Sequence, residues 1–72
     1  MKAKFVICIN NQGYEVSLER WKVYQVLRDE QAAAHNHIRV VDESGEDYLY
    51  PNDFFMAIDL PKPLQDVITA AR

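Results

Sequence analysis

A chain of 72 residues has room for one domain and one small core, since folding at this length buries only about 60% of the unfolded surface. Nearly half the residues are apolar, with four Tyr, three Phe and one Trp, a composition that excludes a disordered tail and describes a packed globule. The net charge is −3 and unevenly placed: residues 40–61 carry six acidic residues and no Lys or Arg, which sets the chain against the phosphate backbone of a nucleic acid as partner.

Taken in chain order, Phe5, Ile7 and Ile9 fall on one side of an extended segment and Val6 and Cys8 on the other, which predicts a strand over 4–9 covered on both faces. This apolar run is far shorter than a signal or membrane segment requires, and predicts a cytoplasmic protein with no membrane partner. A single cysteine, Cys8, can form no internal disulfide and reads as a small core residue. Asn10-Asn11-Gln12-Gly13 predicts a turn, because Asn and Gly tolerate positive φ, and alternation resumes from Tyr14 to Leu18.

Residues 17–34 are ambiguous. Leu18, Trp21, Tyr24 and Leu27 recur at helical spacing, whereas Val23, Tyr24 and Val26 are β-favouring types. The preferred reading is a strand over Trp21 to Leu27 and a loop with one helical turn over Arg28 to Asn36; the alternative, one helix over 17–34, would make the fold α+β. Ile38 to Val41 and Asp47 to Tyr50 predict a hairpin around the polar loop Asp42-Glu43-Ser44-Gly45-Glu46, and Pro51, lacking an N–H, ends its ladder. Asn52 to Phe55 suits a single helical turn, and Met56, Ile58 and Leu60 alternate in a last strand stopped by Pro61 and Pro63. Leu64, Val67, Ile68 and Ala71 then line one face of a short helix over 63–71, expected to fold back over an open end of the β structure.

Five short strands with a helical turn before the last resemble a Src-homology-3-like barrel, covering about residues 4–60 of a single domain, 1–72, with a helical tail behind it. Leu49-Tyr50-Pro51-Asn52-Asp53-Phe54-Phe55 is similar to the stretch in which such domains place an aromatic, a Pro, two variable residues and a second aromatic. The resemblance implies that Pro51 and Phe54 line a groove for a polyproline ligand. The chain departs from that pattern in lacking an Ala-Leu-Tyr-Asp-Tyr run near its start and a Trp opening the strand at Ile38. The acidic hairpin followed by Tyr48-Leu49-Tyr50-Pro51, with Lys22 to Leu27, also resembles a family of small bacterial proteins to which no activity is attached.

Candidate sites follow from the side chains that remain. Tyr14, Trp21, Tyr24, Tyr48, Tyr50, Phe54 and Phe55 are more aromatic rings than so small a core hides, and exposed Tyr and Trp favour interfaces. The leading expectation is a non-catalytic protein-interaction module, a monomer or weak homodimer without cofactor, holding a protein segment on Tyr50, Pro51, Phe54, Tyr14 and Trp21. The acidic loop Asp42, Glu43, Glu46 and Asp47 would set its charge preference. No nucleophile, phosphate loop or paired carboxylate constellation points to an enzyme. Two alternatives stay open: a nucleic-acid-associated barrel using Arg20, Lys22, Arg28 and Arg39, and a metal-binding protein using His35 and His37, two ligands where zinc takes three or four.

Overall fold

The computed structural model describes residues 5–70, with side chains described through residue 68. Five antiparallel strands form one sheet: β1 (Phe5–Cys8), β2 (Val23–Leu27), β3 (His37–Val41), β4 (Asp47–Pro51) and β5 (Phe55–Ile58). Their order across the sheet is β4-β3-β2-β1-β5. The first four strands are a meander, and the last crosses back to lie on the far side of β1. The strands at the two ends of that order, β4 and β5, do not pair with each other. The architecture is mainly β, as expected, with α1 (Glu30–Ala34) between β2 and β3 and α2 (Lys62–Ala70) after β5.

β2 divides its length between two neighbours. Val23, Tyr24 and Gln25 face Ile7, Val6 and Phe5 of β1, whereas Val26 and Leu27 face Val40 and Arg39 of β3. The inner face collects alternate residues of every strand, and the core cluster holds Val6, Cys8, Tyr24, Ile38, Val40, Tyr50 and Phe55, with Leu18 reaching in from a loop. Val40 and Cys8 have no exposed surface. Burial also pushes the Cys8 thiol above its ordinary pKa, which keeps it protonated, donating to the Asn10 carbonyl at 3.3 Å.

Three readings of the first half are corrected. Tyr14 to Leu18 is not a strand: the Ser17 and Leu18 amides both bond back to the Tyr14 carbonyl, at 3.0 and 2.9 Å, so the chain coils after Gly13. The alternation there was incidental, with Val16 95% exposed. The strand expected from Trp21 begins only at Val23, because Trp21 lies at φ 73°, a left-handed conformation that no strand contains. The single helix over 17–34 is overturned, since only Glu30–Ala34 is helical, its first turn capped by Asp29 accepting from the Ala32 amide at 2.9 Å.

The C-terminal half follows its pattern closely. The hairpin register runs from His37 against Pro51 to Val41 against Asp47, so Pro51 does end the ladder. A 3-10 turn over Asn52–Phe54 precedes the last strand, which starts at Phe55 rather than Met56 and stops at Ile58 rather than Leu60. The terminal helix is present, and its apolar face is covered only in part: Ile68 is half-buried, whereas Leu64 is 45% and Val67 64% exposed. Lys4 and Ala71, the ends of two expected elements, lie outside the described residues.

Trp21 is a bulky residue in a region that favours Gly or Asn, held there by its amide donating to the Cys8 carbonyl at 2.7 Å. Because its ring is 62% exposed, little packing compensates for that backbone. Trp21→Asn is therefore expected to leave stability within about 1 kcal/mol of the parent or to raise it, read by urea denaturation. A loss above about 2 kcal/mol would show that the ring packs more tightly than its exposure implies.

Candidate functional site

The rings of Tyr14, Phe54 and Tyr50 meet where the first loop approaches the 3-10 turn. The Tyr14 ring stands edge-on to Tyr50 at 5.1 Å between centroids and to Phe54 at 5.8 Å. Backbone hydrogen bonds fix both outer members. Tyr14 follows Gly13 at φ 87° and donates to the Asn11 carbonyl at 2.8 Å. The Phe54 carbonyl accepts from Ile9 at 2.8 Å and from Asn10 at 3.3 Å, which ties the turn to the root of the loop. Tyr14 is 42% exposed, Phe54 and Pro51 are half-buried, and Tyr50 is buried beneath them at 3%.

This placement changes the roles of two expected contact residues. Tyr50 does not face outward; it is a core residue that supports the Tyr14 ring from below, its hydroxyl donating to Asp42 at 2.5 Å. Trp21 is exposed but takes no part in these ring contacts. It lies instead beneath the Arg20 guanidinium, whose carbon is 4.7 Å from the ring centroid. The fold thus brings Tyr14 and Phe54 together, places Pro51 at the start of the turn that carries Phe54, and leaves Trp21 in a separate stack with Arg20.

The carboxylates of the acidic loop are mostly engaged within the fold. Asp42 is 4% exposed and accepts from the Ser44 amide at 2.9 Å, the Ser44 hydroxyl at 2.5 Å and Tyr50. Burial pushes its carboxyl up, but the hydrogen bonds from Ser44 and Tyr50 outweigh that and hold it below its ordinary pKa. Burial, with the Asp42 carboxylate beside it, pushes Tyr50 up to about 12. Glu43 accepts from Lys22 at 2.7 Å and from Tyr24 at 2.5 Å, and these bonds lower its carboxyl. Asp47 accepts from Arg39 at 2.9 Å. Glu46, whose partner Tyr48 is 3.3 Å away, is the member of the group with the loosest bond.

The cations are similarly occupied. Lys22 is paired with Glu43, Arg28 with Glu30, and Arg39 with both Asp29 and Asp47 at 2.9 Å. Arg20 donates to the Ile9 carbonyl at 3.0 Å and covers Trp21. His35 and His37 each donate from Nδ1 to a backbone carbonyl, of Gln31 at 2.9 Å and of His35 at 2.8 Å. Among the described residues no three His, Cys, Asp or Glu side chains gather closely enough to hold a metal ion, and no helix is long and apolar enough to cross a membrane.

Sequence reasoning missed a concavity elsewhere on the molecule. A cleft of about 680 Å³ opens onto the core between the two halves of the sheet, floored by Val6, Val26, Ile38, Phe55 and Ala57. Ala57 was its one sequence signal, a small side chain on the inner face of the last strand where a large one would close the gap. Comparison with known proteins adds nothing to this geometry: no family model, no curated protein and no solved structure matches the chain.

Proposed function

We propose that this chain is a Src-homology-3-like interaction module that holds an extended, proline-rich segment of another protein against Tyr14, Pro51 and Phe54. The observation that carries the reading is the exposed Tyr14 ring seated edge-on against Phe54 and Tyr50, an aromatic surface whose backbone is already fixed. A fixed ring loses little conformational entropy on binding, so its apolar area converts to affinity more fully than a mobile one. The strand order and the 3-10 turn before β5 support the barrel, and no step of this reading requires catalysis. Loop carboxylates bonded within the fold leave the ring surface, more than the acidic hairpin, to select the partner.

Titration with a panel of proline-rich peptides, followed by amide chemical-shift changes, tests this directly. Residues 11–14 and 51–54 are expected to shift together, with affinity in the micromolar range. Tyr14→Ala, which removes a 42% exposed ring, is expected to weaken binding about tenfold or more while leaving the fold intact. Shifts confined to the cleft at Val26 and Ala57, or none at millimolar peptide, would overturn the assignment.

A further inference from the structure

The two free edges of the sheet differ in their chemistry. β4 begins with Asp47 and ends with Pro51, a charge and a missing N–H of the kind that discourages further pairing. β5 reads Phe55-Met56-Ala57-Ile58, four apolar residues with no charge and no proline, and among the described residues only β1 pairs with it. An unguarded apolar edge is a template for another strand.

The outer face beside that edge is apolar as well. In register, Val23, Ile7 and Met56 form one row across β2, β1 and β5, and Gln25, Phe5 and Ile58 form the next. Gln25 is the one polar residue of these six, where a sheet face left wholly to solvent would be mostly polar, and Phe5 is already covered, at 3% exposure. Met56 is 58% exposed, and α2 begins after only three link residues, about 10 Å of chain, with Leu64 at 45% and Val67 at 64% exposed.

We infer that β5 is a dimer interface and that its occupant is the β5 of a second copy of this chain, paired antiparallel about a two-fold axis. Three features select that occupant. A two-fold normal to the sheet keeps outer faces on the same side, so a register centred on Ala57 sets Met56 opposite Ile58 of the second copy and joins the two rows at their apolar ends. Neither row contains a charged residue, so two chains of net charge −3 meet where no like charges oppose. Met56 is 58% exposed at the edge itself, so the pairing covers apolar surface that a single chain leaves in water.

Sedimentation equilibrium of the full chain over a micromolar to millimolar range is the test. The parent chain is expected to show a reversible dimer, and Met56→Lys, which adds a charge at a site exposed in the monomer, to raise the dimer Kd about 30-fold or more with an unchanged circular dichroism spectrum. Leu49→Lys, at the 44% exposed position on the β4 edge, is expected to leave the dimer intact. A parent chain that stays monomeric at millimolar concentration overturns the inference. So does a dimer that survives Met56→Lys, including one lost only when Leu64 and Val67 are both changed to Lys, which would place the contact on the helix instead.

Discussion

Leu18→Ala is expected to lower the unfolding free energy by about 3 kcal/mol and the melting temperature by roughly 15 °C. Leu18 is 1% exposed and belongs to the core cluster although it sits in no regular element. Its carbonyl accepts from the Asn11 side chain at 3.0 Å, and next to it the Ser17 carbonyl accepts from the Glu43 amide at 3.0 Å. The side chain is thus the apolar anchor of the loop that carries Tyr14, and truncation leaves a cavity that a loop pinned at these points cannot collapse to fill. For a domain whose total stability is on the order of 5–10 kcal/mol, this is a large fraction. Urea unfolding measures it, and a loss below about 1 kcal/mol would mean that the loop is not held by its core contact.

Asp42→Ala is expected to cost about 3 kcal/mol, because it strands the buried Tyr50 hydroxyl and removes the acceptor for both Ser44 donors. Tyr50→Phe removes one of those bonds and is expected to cost about 1–2 kcal/mol. The same network makes stability depend on pH at both extremes. Asp42 and Glu43 have folded pKa values below the ordinary carboxylate range, so the stability they supply is complete above about pH 4 and is lost as pH falls through the folded values. Tyr50 is raised to about 12, so its contribution is complete below the ordinary phenol pKa near 10 and is lost as pH rises from there through 12. Melting temperature measured against pH should therefore fall at both ends, and Asp42→Asn should flatten the acid limb. An acid limb unchanged in Asp42→Asn would show that other carboxylates govern it.

The C-terminal half of the fold was legible because its signals are local. Gly45 in the hairpin loop, Pro51 after the ladder and alternation in between each act within a few residues, and together they set the hairpin, the 3-10 turn and β5. The first half was less legible because tertiary bonds override its pattern there. Val16 alternates with Leu18 yet is exposed, since the coil after Gly13 is fixed by bonds to Asn11 and Glu43 that no local rule anticipates. Trp21 carries β propensity, but a 2.7 Å bond to the Cys8 carbonyl holds it in a left-handed conformation.

The candidate surface was readable in the same unequal way. Pro51 and Phe54 are neighbours in sequence and share a turn, so their proximity follows from the chain itself. Which of the remaining rings joins them depends on how the loop folds: Tyr14 reaches Phe54, Trp21 goes to Arg20, and Tyr50 turns inward to Asp42. Composition showed that there were more rings than a core could hold; only the backbone assigned them. The bonding of the acidic loop was hidden for a related reason, since apart from Ser44 the donors that engage Asp42, Glu43 and Asp47 come from Tyr50, Lys22, Tyr24 and Arg39, up to 21 residues away in sequence.

Because β2 pairs with β1 through its first three residues and with β3 through its last two, neither half of the sheet can detach while the other stays whole. Hydrogen exchange in the native state should therefore reveal one cooperative unit: amides of β1, β2 and β3 opening together at the free energy of global unfolding, with only the outer strands and α2 fraying below it. A shared strand of five residues is in this sense the hinge pin of the domain, and its loss would end the fold in a single step.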